Sequence, residues 1–365
     1  MASSSSSKQI KISRRGFGTL VGAALVLPGA ASSASASRAP QHPSRTVKHP
    51  LIKPARLREG DLVGLIAPGG HTSDAAIGQA VGRIEALGFR ARQGANLRAV
   101  HGNYAGSVQQ RIADLHAMFA DPAVKAIWCI RGGSGCIGLL ASIDYALIRA
   151  NPKILLGYSD ITALHLAIHR HAGLVTFHGP VASSTPSDYS TGHMLAVLMD
   201  PQPTYTIPMA MENRRRALDA PQYAIRTVQG GVATGPLIGG NLSMVSALAG
   251  TPYAADFRHC LLFLEDVNEA PYRIDRWMTQ LDLAVGFARA AGVMIGVCEH
   301  CIGDDEDNSL TLEQTLDGHL QPLTIAAVTG YSFGHIRDQF TLPIGVRATL
   351  DTDRQTVTLL EPAVV

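Results

Sequence analysis

The stretch KILLGYSDITALHLAIHRHAG, Lys153 to Gly173, decides the fold. Its apolar run Ile154–Leu156 stops at Gly157-Tyr158-Ser159-Asp160, and a helical pattern begins at once, with Ile161, Leu164, Leu166 and Ile168 apolar. A strand that turns into a helix with no loop between them is the corner of an α/β unit. Such a corner lifts its serine above the sheet and aims the first helical N–H groups at whatever binds there. Two readings of Ser159 stand on these residues alone. It is a helix N-cap, as Ser159 or Asp160 before an apolar helix would be. Or it is a nucleophile on an elbow, with Ile161 where the usual second glycine would stand.

The same alternation recurs on both sides. LVGLIAPGG (62–70) reads as a buried strand ending in a Pro-Gly-Gly turn, and DAAIGQAVGRIEALGF (74–89) and QQRIADLHAMFAD (109–121) carry apolar residues at helical spacing. VKAIWCIRGGSG (124–135) is another strand running into a glycine-rich turn, followed by the helix-like CIGLLASIDYALIRA (136–150) and the strand LVTFHGP (174–180). This predicts a mostly parallel sheet with helices on both faces, a domain spanning 55–180. Residues 181–234, with several prolines and a solvated-looking Arg214–Arg216 run, show no sustained period and read as a crossover. From 235 to 365 order returns as a second, mixed α/β domain: GPLIGGNLSMVSALAG, the strand CLLFLED, the helical YRIDRWMTQLDLAVGFA, and strands near 292–298, 323–329 and 345–360.

Residues 1–36 have the layout of an export signal. A basic start with Arg14-Arg15 ahead of Phe17 precedes an apolar stretch from Leu20 to Leu27 and a small-residue Ala34-Ser35-Ala36 cleavage site. The paired arginines suggest the twin-arginine route to the periplasm. The apolar stretch is too short for a hydrocarbon core that needs about 20 residues, so no stable membrane insertion is expected. Residues 37–54 read as a tether. Removing the signal leaves 27 basic against 29 acidic side chains, with no basic run that would suit nucleic acid. Five widely spaced cysteines argue against a disulfide framework. Cys298-Glu-His-Cys301 lacks a second ligand pair, so no metal site is expected.

A serine nucleophile needs a base, and the base an orienting carboxylate. Among fourteen histidines, those at 165, 169 and 171 lie on the elbow helix and read as packed or surface residues. His335 follows Tyr331-Ser332-Phe333-Gly334 at the end of an apolar strand, where it can reach a cleft. Glu265 ends the apolar CLLFL, where a carboxylate serves equally as a helix cap or an ion-pair member. The order serine, acid, histidine is one that hydrolases use.

Together these pieces resemble the LD-carboxypeptidases, the serine peptidase family that also contains the microcin C immunity peptidases. The matching stretches are RGGSG (131–135), GYSDITALH (157–165), FHGP (177–180), GGNLS (239–243), LFLEDVNEAPYRIDRW (262–277), GYSFGH (330–335) and LPIGVRATLD (342–351). The resemblance implies a flavodoxin-like N-terminal domain carrying nucleophile Ser159, and a C-terminal domain carrying Glu265 and the general base His335, with the site at their interface. It implies an oxyanion hole from the backbone N–H groups of Asp160 and Gly133, donors worth about 3 kcal/mol each. It implies no cofactor, a homodimer, and removal of the terminal D-alanine from murein tetrapeptides. Arg131 is the candidate for the substrate carboxylate, with structural pairing as its other reading. Ser134 stands where family members usually carry an aromatic residue, which bears on pocket width. The rivals are an immunity-type peptidase acting on a peptidyl or aminoacyl nucleotide, and a catalytically silent wall-peptide binding protein.

Overall fold

The computed structural model describes residues 49–303 and 308–365. The segment expected to be an export signal, and the expected tether up to residue 48, lie outside the described residues.

Two sheets organise the chain. The first contains β1 (Leu62–Ile66), β2 (Arg90–Gln93), β3 (Val124–Cys129), β4 (Ile154–Gly157) and β5 (Phe177–His178). These run parallel in the order β2-β1-β3-β4-β5, which is flavodoxin-like. Every residue of β1 and β4 is buried, which a strand achieves only when helices cover both faces of its sheet. β2 is mostly exposed and polar, an edge strand that hydrophobicity cannot reveal.

The helices Asp74–Ala86 and Val108–Ala120 follow the sequence periodicity, the second opened by a Ser107–Gln110 capping box. The stretch CIGLLASIDYALIRA is not one helix. It divides into a 3₁₀ segment, Ile137–Ser142, and the helix Tyr145–Ala150, because Asp144 accepts a hydrogen bond from the Leu147 N–H and starts a new helix.

Residues 181–234 are ordered. They hold the helix Asp188–Met199, whose Leu198 carbonyl accepts from the Leu57 N–H, then β6 (Tyr205–Ile207), β7 (Arg226–Gln229) and the start of β8 (Val232–Asn241). β6 and β7 form the two edges of the second sheet, whose remaining strands are β8, β9 (Leu261–Glu265), β10 (Gly292–Val297), β11 (Ala326–Gly334), β13 (Arg347–Asp351) and β14 (Thr356–Leu359). Its order is β6-β14-β13-β8-β9-β10-β11-β7, with β8 to β11 parallel at the centre and antiparallel strands outside. One strand crosses over. β12 (Leu342–Pro343) pairs antiparallel with β5 and so completes the first sheet from late in the sequence.

Among the described residues no helix is long and apolar enough to cross a membrane. All five cysteines are free and buried.

Candidate active site

Ligands in open α/β sheets bind beyond the carboxyl ends of the strands, and three turns of the first sheet meet there. Gly69-Gly70 follows β1, Arg131–Gly135 follows β3, and Tyr158-Ser159-Asp160 follows β4. Ser159 has φ 65°, a left-handed conformation that a residue with a side chain adopts only under constraint. A 3₁₀ turn over Ser159–Ile161 then leads into the helix Thr162–Ala172, and Ile161 is fully buried. A serine on a simple N-cap would sit in the β region, as Ser73 and Ser107 do here at φ −87° and −65°. No side-chain hydrogen bond caps this turn either.

The Arg131–Gly135 turn presses against that corner. A Cβ on Gly132 would lie 2.7 Å from Ser159 Cβ, 2.8 Å from its Oγ and 3.1 Å from the Asp160 nitrogen, so only glycine permits the approach. Gly70 N–H donates to the Gly132 carbonyl at 2.9 Å, and Cys136 N–H to Asp160 Oδ2 at 2.8 Å, pinning the turn from both ends. The Asp160 amide lies at the start of a helix, where N–H groups lack intrahelical acceptors. Gly133 (φ 94°) and Ser134 are exposed beside it. Arg131 is exposed and donates to the His71 carbonyl at 3.1 Å, so it has a structural partner and an open face.

The second sheet brings Glu265 and His335 together. Glu265 ends central strand β9 and is fully buried; His335 follows β11. His335 Nδ1 lies 2.7 Å from Glu265 Oε2. Gly334 (φ 124°) makes this possible, because a Cβ there would lie 3.3 Å from Glu265 Oε2 and 2.7 Å from the Val297 carbonyl oxygen. Burial alone would raise the Glu265 carboxyl, but His335, with His178 and Asn241 behind it, holds it below its usual range. Burial would lower the His335 imidazole; Glu265 beside it, and then Asp266, hold it above its ordinary value. The pair reaches the serine corner through Tyr158, whose ring meets the His335 ring edge-on at 4.6 Å.

Asn241 ties the two halves together, and Asp266 holds it in place. Asn241 lies opposite Glu265 in the parallel β8–β9 register, and its N–H donates to Thr162 Oγ1 on the elbow helix at 3.0 Å. Its side chain donates to Asp266 Oδ1 at 3.0 Å. Asp266 also accepts from the Val267 and Ser243 N–H groups, and burial followed by the charge of Glu265 pushes its carboxyl up to about 6. GGNLS and LED were visible as motifs, but the bonds linking Asn241 to Thr162 and Asp266 lie between residues distant in sequence. Among the described residues no group of three or more His, Cys, Asp or Glu side chains is placed to hold a metal ion.

A flavodoxin-like sheet with a constrained serine corner, beside a buried carboxylate–imidazole pair from a second, mixed sheet, is the framework of a peptidase, a hydrolase of mixed α/β fold. The chain belongs to the LD-carboxypeptidase family, whose N-terminal domain matches residues 63–179 and whose C-terminal domain matches 234–350. It is 37% identical to a probable murein peptide carboxypeptidase of Bacillus subtilis, over 84% of this chain and 94% of that protein. Among solved structures it resembles an MccF-like protein from Bacillus anthracis, with TM-score 0.74 and 31% identity over 84% of this chain and 99% of that one. It also resembles a muramoyltetrapeptide carboxypeptidase from Oxalobacter formigenes, with TM-score 0.70 and 27% identity over 82% and 97%.

Proposed function

We propose that this peptidase is a serine-type LD-carboxypeptidase that removes the terminal D-alanine from murein tetrapeptides. The observation that carries the reading is the Glu265–His335 bond of 2.7 Å, set beside a serine corner held at φ 65°. Ser159 Oγ attacks the carbonyl of the third residue while His335 Nε2 takes its proton. The tetrahedral oxyanion is met by the Asp160 and Gly133 N–H groups. His335 returns the proton to the departing D-alanine amine; a water that His335 deprotonates then attacks the acyl carbon, and as the C–Oγ bond breaks His335 hands that proton back to Ser159 Oγ. Glu265 moves no proton; it holds the Nδ1–H tautomer and stabilises the imidazolium. Arg131, through its open face, is the proposed anchor of the terminal carboxylate.

The test is stereochemical. A tetrapeptide ending in meso-diaminopimelate or L-lysine and then D-alanine should lose D-alanine, and the same peptide ending in L-alanine should react slower by two or more powers of ten, because the misdirected carboxylate loses its contact. Equal rates would replace this reading with a general carboxypeptidase. One second reading, a peptidase of peptidyl or aminoacyl nucleotides, is favoured by MccF structures of the same fold that hold glutamyl sulfamoyl guanosine or aspartyl sulfamoyl adenosine. Turnover of such a nucleotide, with the tetrapeptide left intact, would establish it.

Export of the folded enzyme to the periplasm belongs to the same proposal and rests on Arg14-Arg15 and the short apolar stretch after them. Replacing both arginines by lysine should retain the protein in the cytoplasmic fraction. Unchanged periplasmic recovery would remove the twin-arginine route.

A further inference from the structure

We propose that His178 is a positioning residue for the acid of the triad: its imidazole N–H serves Oε1 of Glu265, across one bridging water, and keeps that carboxylate ionised and aimed at His335. The inference rests on the triad reading above.

His178 ends β5, paired with Gly157 on one side and Leu342 on the other, and so stands one strand away from the serine corner. Its side chain is fully buried. The ring lies edge-on to Phe263 at 5.4 Å and tilted against Tyr158 at 6.1 Å. Phe263 precedes Glu265 by two residues on β9 and shares its face of the sheet. Tyr158 in turn touches His335. The imidazole is therefore enclosed by the neighbours of the Glu265–His335 pair.

The polar atoms there are left unmatched. Glu265 commits Oε2 to His335, while Oε1 is buried without a hydrogen bond of normal geometry, the nearby Asn241 amide donating instead to Asp266 Oδ1. Both ring nitrogens of His178 are likewise buried and unpartnered. Buried donors and acceptors are almost always satisfied, because leaving them bare forfeits their hydration. A carboxylate oxygen and an imidazole N–H are complementary, and one water joins such a pair at little cost. Burial pushes His178 down to about 4, so near neutral pH it is uncharged and offers one donor. A charged ring would compete with His335 for the glutamate. The other titratable groups facing this space are His165, which burial pushes down to about 3, Tyr158, which burial pushes up, and Asp266.

The sign of the effect follows from charge. An N–H donor stabilises the pair most when Glu265 is ionised and His335 neutral, its net-negative state. Removing the donor makes the pair take up a proton more readily, whichever residue carries it, so the acidic limb of kcat/KM moves to higher pH.

His178→Phe keeps an aromatic ring without a donor, and His178→Gln keeps an N–H without the ring. On the L,D-tetrapeptide, His178→Phe should lose about 10- to 100-fold in kcat with KM nearly unchanged, and its acidic limb should rise by about one pH unit. His178→Gln should restore the limb and most of kcat. The reverse order, with His178→Phe near wild type and the limb unmoved, would show a space-filling role and overturn the proposal. Ser159→Ala assayed alongside separates the two questions, since turnover in that variant would sink the triad and not the His178 link alone. Nitrogen-15 histidine NMR of the unsubstituted protein supplies a readout independent of variant folding. A neutral, single-tautomer His178 with a slowly exchanging N–H across neutral pH is expected, and an imidazolium there would refute the assignment.

Discussion

Ser159→Ala is expected to reduce tetrapeptide turnover by about 10⁴-fold or more, with binding largely kept. His335→Ala should do the same, and the double variant should be little worse than either, because nucleophile and base act as a unit. Glu265→Gln should retain residual activity through the intact oxyanion donors, at the cost of the correct imidazole tautomer. The strained corner adds a second readout. Ser159 sits at φ 65°, where glycine is at ease and other residues are not. Ser159→Gly should therefore be equally inactive yet more stable, by about 1 kcal/mol in a denaturant titration. Inactivity without that gain would mean the corner carries little strain, whereas wild-type turnover in Ser159→Ala would remove the serine from the mechanism.

Gly132→Ala should cost about 10²- to 10³-fold in kcat, the size of a lost oxyanion donor, although the substitution adds one methyl and touches no catalytic atom chemically. The new Cβ would fall 2.7 and 2.8 Å from Ser159 Cβ and Oγ and 3.1 Å from the Asp160 nitrogen. Either the serine leaves its rotamer or the turn retreats, carrying Gly133 away from the position proposed for the oxyanion. The turn is pinned by the Gly70 and Cys136 amides, so the strain should concentrate on the site rather than spread through the sheet. Steady-state kinetics with a thermal melt would check this: kcat should fall while the melt moves by a few degrees at most. Near-normal kcat would show that the close packing of turn and corner is dispensable.

Local sequence determined the elements and the serine corner. The fully buried strands β1 and β4 were legible because parallel strands covered on both faces must be apolar throughout, and the elbow because a strand and a helix period abut at Gly157–Asp160 with nothing between them. The candidate residues were legible as strand-end polar groups, and their grouping into one set came from the order of seven motifs. Tertiary structure alone decided the rest. β2 was hidden because an exposed edge strand is polar, and β6 and β7 because edge strands in a proline-bearing segment have no period to read. That Leu342–Pro343 returns to complete the first sheet depends on backbone pairing with Phe177–His178, across 164 positions from His178 to Leu342. The 2.7 Å bond between Glu265 and His335, the approach of Gly132 to Ser159, and the unmatched polar atoms of His178 and Glu265 are likewise distances between residues far apart in the chain. A sequence records which groups are available. Burial and pairing, which set their ionisation and aim, exist only once the two sheets have packed.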